Sequence, residues 1–267
     1  MGKVENLVII KLGGSLITDK DRPLSINLSN LRVVCREISS YLSTKIPSKI
    51  FLIHGGGSFG HFFAKRFGLT TTFSKLLKPE GIAMTLGSML QLHSIVLEQL
   101  NSKEVFCATI LPSELMSIDG KRLTPNGVMR AVTTISAGLT PITFGYVMVD
   151  RRGSRIVSGD EIALALARRF RSKKVIFAMD VDGIYPSSKL EGEILPMVSS
   201  NRKIDWLQRE YDVTGGIGEK LRTGLQLSKA GAEVFFVNGS KESRLSSILR
   251  GRDDVICTRI LPKKHLQ

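Results

Sequence analysis

Cysteine is scarce: the three in 267 residues, Cys35, Cys107 and Cys257, lie far apart with no CxxC pair. That spacing suggests neither a zinc site nor a disulfide framework, and it fits a reducing, cytoplasmic setting. Long apolar runs are missing too. No stretch approaches the ~18 residues of a membrane span, and the start MGKVENLVIIKLGG lacks a signal-peptide core. Asn6 stands where a myristoylation signal needs Ser or Thr. A soluble chain with no membrane partner is expected. Aromatics make up only 6% and do not interleave with basic residues in a stripe, which counts against nucleic acid.

What is present starts with apolar residues at 42%, enough to exclude disorder. Lys and Arg number 38 against 24 Asp and Glu, for a net charge of +14. Such a surplus favours anionic partners, with nucleic acid, a polyphosphate or a merely solvated surface all compatible with the scattered basic residues. The length allows one large α/β domain or two lobes.

Along the chain, Leu7 to Leu12 reads as a buried strand followed at once by Gly13, Gly14 and Ser15. Leu28, Leu31, Val34, Cys35, Ile38 and Leu42 share one helical face. Ile50 to Ile53 reads as a second buried strand, then a glycine turn from Gly55 to Gly60, then a short helix with His61 near its start. Strand, helix, strand is the opening of a parallel α/β sheet. Pro79 to Leu100 predicts a long helix on which His93 is a packed residue and Met84 and Met89 could line a pocket. From Val105 to Gly138 the pattern gives only a short strand, a Pro112 turn and a helix. Thr140 to Phe144, Val147 to Asp150 and Arg155 to Val157 read as strands, the last two as a hairpin that could form a flap. A helix from Glu161 to Phe170, a charge run from Arg168 to Lys174 read as the lobe boundary, and a strand from Val175 to Met179 follow. Gly215 and Gly216 precede a helix from Ile217 to Ala230, and Glu233 to Val237 is the next strand.

The central turn matches two phosphate motifs imperfectly. Gly55, Gly57 and Gly60 satisfy GxGxxG, but no acidic residue ends a strand about 20 residues on. Gly55 and Gly60 also have P-loop spacing, yet His61 replaces the lysine. What remains is a phosphate-sized cradle, with His54 on its strand side read as structural. The cations lie elsewhere: Lys11 at a strand end, Lys20 beyond Gly14, and Lys220 in a helix's first turn. Lysines at strand ends beside glycine turns suit phosphoryl transfer, which works by positioning and charge neutralisation.

KLGGS at Lys11 to Ser15, HGGGSFGH at His54 to His61, SGD at Ser158 to Asp160, DVDGIY at Asp180 to Tyr185 and DVTGG…K at Asp212 to Lys220 occur in the order of the amino acid kinase superfamily. More narrowly, nearly the whole chain resembles the isopentenyl phosphate kinases. The resemblance implies a three-layer αβα sandwich around a mainly parallel sheet. It implies an N-terminal acceptor lobe, 1–172, and a C-terminal nucleotide lobe, 173–267, within one continuous domain. The implied reaction converts isopentenyl phosphate and ATP, with Mg²⁺, to isopentenyl diphosphate, in a cytoplasmic homodimer.

On that resemblance His61 hydrogen-bonds the acceptor phosphate, with amides of Gly55 and Gly159 and with Gly60 nearby. Lys11, Gly13, Gly14, Ser15 and Gly56 face the nucleotide phosphates, Lys20 the transferring group, and Asp160 orients the lysines. Asp180, Tyr185, Gly216 and Lys220 belong to the ATP site, and the magnesium ligands stay open. Tyr146 after Gly145, and Gly218, depart from the Asp and Lys common in relatives. The alternatives are a kinase of the same fold for another phosphate, phosphonate (fosfomycin-like) or carboxylate acceptor, and a nucleic-acid-binding protein.

Overall fold

The computed structural model describes residues 4, 6–120, 122–186, 192–198 and 216–262. Its first half contains β1 (Val8–Leu12), α1 (Gly14–Ile17), α2 (Leu28–Leu42), β2 (Ile50–His54), α3 (Gly57–Arg66), α4 (Pro79–Asn101), β3 (Cys107–Thr109), α5 (Pro112–Leu115), β4 (Ser117–Asp119) and β5 (Arg122–Thr124). Then come α6 (Val128–Ser136), β6 (Thr140–Phe144), β7 (Tyr146–Asp150), β8 (Gly153–Val157), α7 (Gly159–Phe170) and β9 (Lys174–Met179). The remainder gives β10 (Met197–Val198), α8 (Gly216–Lys229), β11 (Glu233–Asn238), α9 (Arg244–Leu249) and β12 (Cys257–Ile260).

Strand β1 is buried at all five positions, as a central strand covered on both faces must be. Its alternation divides the core. Ile9 joins the cluster with Ile162 and Leu166 of α7 and Leu221 of α8, whereas Ile10 and Leu12 join Leu31 and Val34 of α2 and Val96 of α4. Helices therefore cover both faces, giving the three-layer α/β sandwich. Burying each such Leu or Ile contributes about 1.5–3 kcal/mol before chain entropy is set against it.

Eight strands form one sheet in the order β10-β12-β11-β9-β1-β2-β6-β3. Every pairing is parallel except β11 with β12. The chain leaves β1 toward β2 on one side and reaches β9, its other neighbour, only at Lys174. This is a topological switch point, where the carboxyl ends of open parallel sheets leave a crevice. Just after the charged run from Arg168, β9 pairs with β1 from Lys174 to Ala178.

The hairpin forms as predicted, β7 against β8, and stands outside the main sheet. Asp150 Oδ1 accepts from the amides of Arg152 and Gly153, which closes its turn. Two helix starts differ from expectation. Helix α3 begins at Gly57, inside the glycine turn, so that His61 lies in its second turn. Helix α7 begins at Gly159 because the Ser158 side chain caps it by accepting from Glu161 N. The β4–β5 hairpin, β10, α9 and β12 were not predicted.

The glycine turns after β1 and β2 touch. A Cβ on Gly14 would lie 2.2 Å from Gly57 N, and one on Gly55 would lie 2.8 Å from Gly14 N. Gly57 has φ +48°, and its Cβ would strike Thr18 Oγ1 at 2.0 Å. By contrast, nothing lies within 4 Å of a Cβ on Gly87, on the exposed side of α4. Gly14→Ala should cost about 3 kcal/mol or more, because backbone must move, whereas Gly87→Ala should raise stability by up to about 1 kcal/mol. Urea denaturation of both variants checks this, and a Gly14→Ala protein as stable as its parent would refute the contact.

Candidate active site

Lys11 is on the face of β1 that looks at α7, and only 5% of it is exposed. An ammonium there needs a counter-charge. Asp160, in the first turn of α7, supplies it: Oδ1 is 2.7 Å from Lys11 Nζ, and Oδ2 is 3.2 Å from Lys220 Nζ on α8. Burial pushes the Asp160 carboxyl up, but the two lysines outweigh it and hold it below its ordinary value, so it is ionised. Lys220 also donates to Gly216 O at 3.1 Å, which fixes it over the start of its own helix. Burial outweighs the pull of Asp160 and lowers Lys11, so the two lysines share the one carboxylate unequally.

Around this triad, helix starts converge. The amides of Gly14 and Ser15 at α1, Gly56 and Gly57 at α3, and Gly159 and Asp160 at α7 have no acceptor among the described residues. Helix N-termini with free amides attract anions. Two expectations change here. The Gly55 amide donates to Leu12 O at 2.9 Å, which joins β2 to β1, so of the two amides assigned to the acceptor phosphate only that of Gly159 is free. The Gly60 amide donates to Gly56 O, and a Cβ on Gly60 would meet Met89 Sδ at 3.0 Å. Gly60 thus lets α4 approach α3 and has no amide to offer. Met89 is buried there, whereas Met84 is exposed.

His61 is exposed on α3. Partial burial, then the charges of Lys220 and Lys11, lower its pKa, so the ring is neutral at pH 7 and carries one N–H to donate. Lys20 is held apart from the triad. Its Nζ is 2.6 Å from Asp180 Oδ2, and Ser15 Oγ donates to Asp180 Oδ1 at 2.8 Å. Burial raises Asp180, but those two hydrogen bonds hold it lower. The Lys20 side chain is 61% exposed, and a pair that open is weak and readily exchanged. An open recess lined by Ser15, Thr18, Lys20, Asn27, Asn30 and Asp180 adjoins it. Gly13 N donates to Ala178 O, which ties the first glycine turn to β9. Tyr185 is half-buried beyond Asp180, and Gly216 begins α8 exposed. Gly215, with Asp212 to Thr214, lies outside the described residues.

Several supporting residues escaped the sequence reading. Arg155, 5% exposed, grips Glu161 with both terminal nitrogens, at 2.8 and 2.7 Å, and so fixes the start of α7 beside Asp160. Thr18 Oγ1 donates to Gly14 O at 2.8 Å and accepts from Ser58 N at 3.0 Å, stitching the two glycine turns together. Asp182 receives Asn238 at 2.9 Å and Arg244 at 2.7 Å. His54 and His93, read as structural and packed, are hydrogen-bonded to each other at 3.0 Å. Each partnership spans dozens of residues or rests on common residue types, so no local pattern marks it.

Burial lowers His54 from 6.5 to about 3 and His93 to about 4, with the His93 ring adding to the shift at His54. Below pH 6.5 the unfolded chain binds protons at these rings while the folded protein binds none until pH 4. Stability therefore falls with pH through that window, by up to about 2 kcal/mol per histidine between pH 7 and 5. Urea midpoints across this range test the point, and His93→Asn should flatten the dependence.

A sequence profile described as the Amino acid kinase family matches residues 6–238. The isopentenyl phosphate kinase of Methanocaldococcus jannaschii is 28% identical, over 92% of this chain and 95% of that protein. That of Methanothermobacter thermautotrophicus is 28% identical over 96% of this chain and its own full length. A solved isopentenyl phosphate kinase structure superposes with a TM-score of 0.80 at 27% identity, covering 95% of this chain and 99% of that one. With the lysine–aspartate triad and the paired glycine turns in place, these matches establish that the chain belongs to the amino acid kinase family.

Proposed function

We propose that the protein transfers the γ-phosphoryl group of ATP to isopentenyl phosphate, giving isopentenyl diphosphate and ADP as a step of isoprenoid synthesis. The observation that carries this reading is the Lys11–Asp160–Lys220 triad, which lies among free amides at three helix starts. Residues 1–172 hold the acceptor and 173–267 most of the nucleotide. The relatives named above support the choice of acceptor.

The chemistry needs little beyond charge control. A phosphate monoester has its second pKa near 6, so the attacking oxygen is already ionised at neutral pH. That oxygen bonds to the γ-phosphorus as the bond to the β,γ-bridging oxygen breaks, and the electron pair leaves on ADP. Bringing two polyanions together is the main cost, and electrostatic preorganisation lowers it. His61 donates its N–H to the acceptor phosphate beside the Gly159 amide. Lys11, with the Gly13 to Ser15 turn and Gly56, holds the nucleotide phosphates, and Lys220 binds from the other side. Lys20 exchanges Asp180 for the transferring group. Asp180, Tyr185 and Gly216 complete the nucleotide side.

Mg²⁺ is assigned here as the companion of ATP, where it neutralises phosphate charge. Among the described residues no group of three or more His, Cys, Asp or Glu could cage a metal, which suits an ion held mainly by phosphate oxygens and water. A homodimer in the cytoplasm goes with this reading. Among the described residues no helix is long and apolar enough to cross a membrane, and all three cysteines are free thiols.

Incubation with ATP, Mg²⁺ and isopentenyl phosphate, followed by ³¹P NMR, should show a diphosphate product. ATP binding without that product would reject the acceptor. His61→Ala should lower kcat/KM for the acceptor about 100-fold, with ATP affinity changed less than threefold. An equal loss on both would make His61 a structural residue.

A further inference from the structure

Behind the glycine turn runs a polar line, buried at its two histidines and exposed at its Thr109 end, that the transfer chemistry does not use. The His54 ring is fully buried, with Nδ1 3.1 Å from Gly55 O and Nε2 3.0 Å from His93 Nδ1. His93 Nε2 is 2.7 Å from Thr109 Oγ1 on the edge strand β3. Phe144 packs on both rings, with centroids 5.2 Å from His54 and 4.4 Å from His93.

The direction of this line is fixed by its end. A carbonyl oxygen only accepts, so His54 carries its proton on Nδ1 and its Nε2 is a bare acceptor. His93 must then donate from Nδ1, which leaves its own Nε2 to accept from the Thr109 hydroxyl. Both rings stay neutral well below pH 7, so the order persists.

The Gly55 carbonyl and the Gly56 N–H belong to one peptide plane. That bond is trans, so the two groups point in opposite directions. Turning the carbonyl inward to His54 turns the Gly56 N–H outward. Among the described residues no other group bonds to that carbonyl or that N–H, although both flanking peptides are hydrogen-bonded, so the His54 contact sets the plane and a flip would remove that donor. Hydrogen bonds in series also polarise one another, strengthening the terminal N–H.

We propose that Thr109, His93 and His54 form a positioning relay that orients the Gly55–Gly56 peptide and so aims the Gly56 N–H at a nucleotide phosphate. This rests on Gly56 contacting ATP, as proposed above, but not on the identity of the acceptor.

The test combines ATP affinity by calorimetry with imidazole ¹⁵N NMR of the full chain. In the parent both His54 and His93 should carry the proton on Nδ1. His93→Leu should weaken ATP binding about tenfold, and His93→Asn, whose amide can still donate to His54, should stay within about threefold. Thr109→Val should weaken it about threefold, and Thr109→Ser should recover it, which keeps the question answerable if His93→Leu does not fold. Either ring protonated on Nε2, or His93→Leu and Thr109→Val binding ATP as the parent does, would overturn the proposal. A parent that binds ATP yet leaves isopentenyl phosphate unreacted rejects only the acceptor, because every arm here reads ATP and the rings.

Discussion

A charge in the middle of a covered parallel sheet is the constraint on which the site depends. Every position of β1 is buried, so Lys11 enters the core whether or not a ligand is bound. A lone ammonium there would be intolerable, and Asp160 at the start of α7 answers it. Such pairs seldom stabilise more than apolar packing would. With two lysines sharing the one carboxylate, the triad suits the phosphate proposed above as its further partner.

The glycines impose the matching steric condition. Three sets of free amides can face one small volume only if the turns carrying them touch, and side chains would hold the turns apart. Gly14 and Gly57 meet backbone to backbone, with Thr18 bonded to both turns. Tight placement of this kind is what electrostatic catalysis requires, since donors that must reorganise during the reaction lose their advantage. The Arg155–Glu161 clamp serves the third helix start in the same way.

Much of this was legible from periodicity. Helix α2 (Leu28–Leu42) and strand β6 (Thr140–Phe144) have the predicted bounds, because a clear apolar face or run marks each. Strands of two to four residues, such as β4, β10 and β12, are too short to show a period. Helix α3 starts earlier than its glycines suggest, because glycine signals a turn in sequence whereas Gly56 already has helical angles, φ −80° and ψ −30°. The site's residue types were legible as lysines beside glycine turns. Its pairings were not: that Lys20 rests on Asp180, or that His54 meets His93 across 39 residues, is decided by packing between helix and sheet.

The histidine at position 61 illustrates how charge count constrains design. A lysine there would put a third cation beside Lys11 and Lys220, raising their mutual repulsion in the ligand-free crevice. A histidine adds none, because burial and those same lysines keep its ring neutral. It can still donate one hydrogen bond, and an arriving phosphate dianion favours protonation, so the charge grows only when there is an anion to balance it. A fixed cation would hold product as firmly as substrate. On the role proposed for His61, a polarisable donor that strengthens and relaxes with the charge it faces suits release of a product more highly charged than the acceptor.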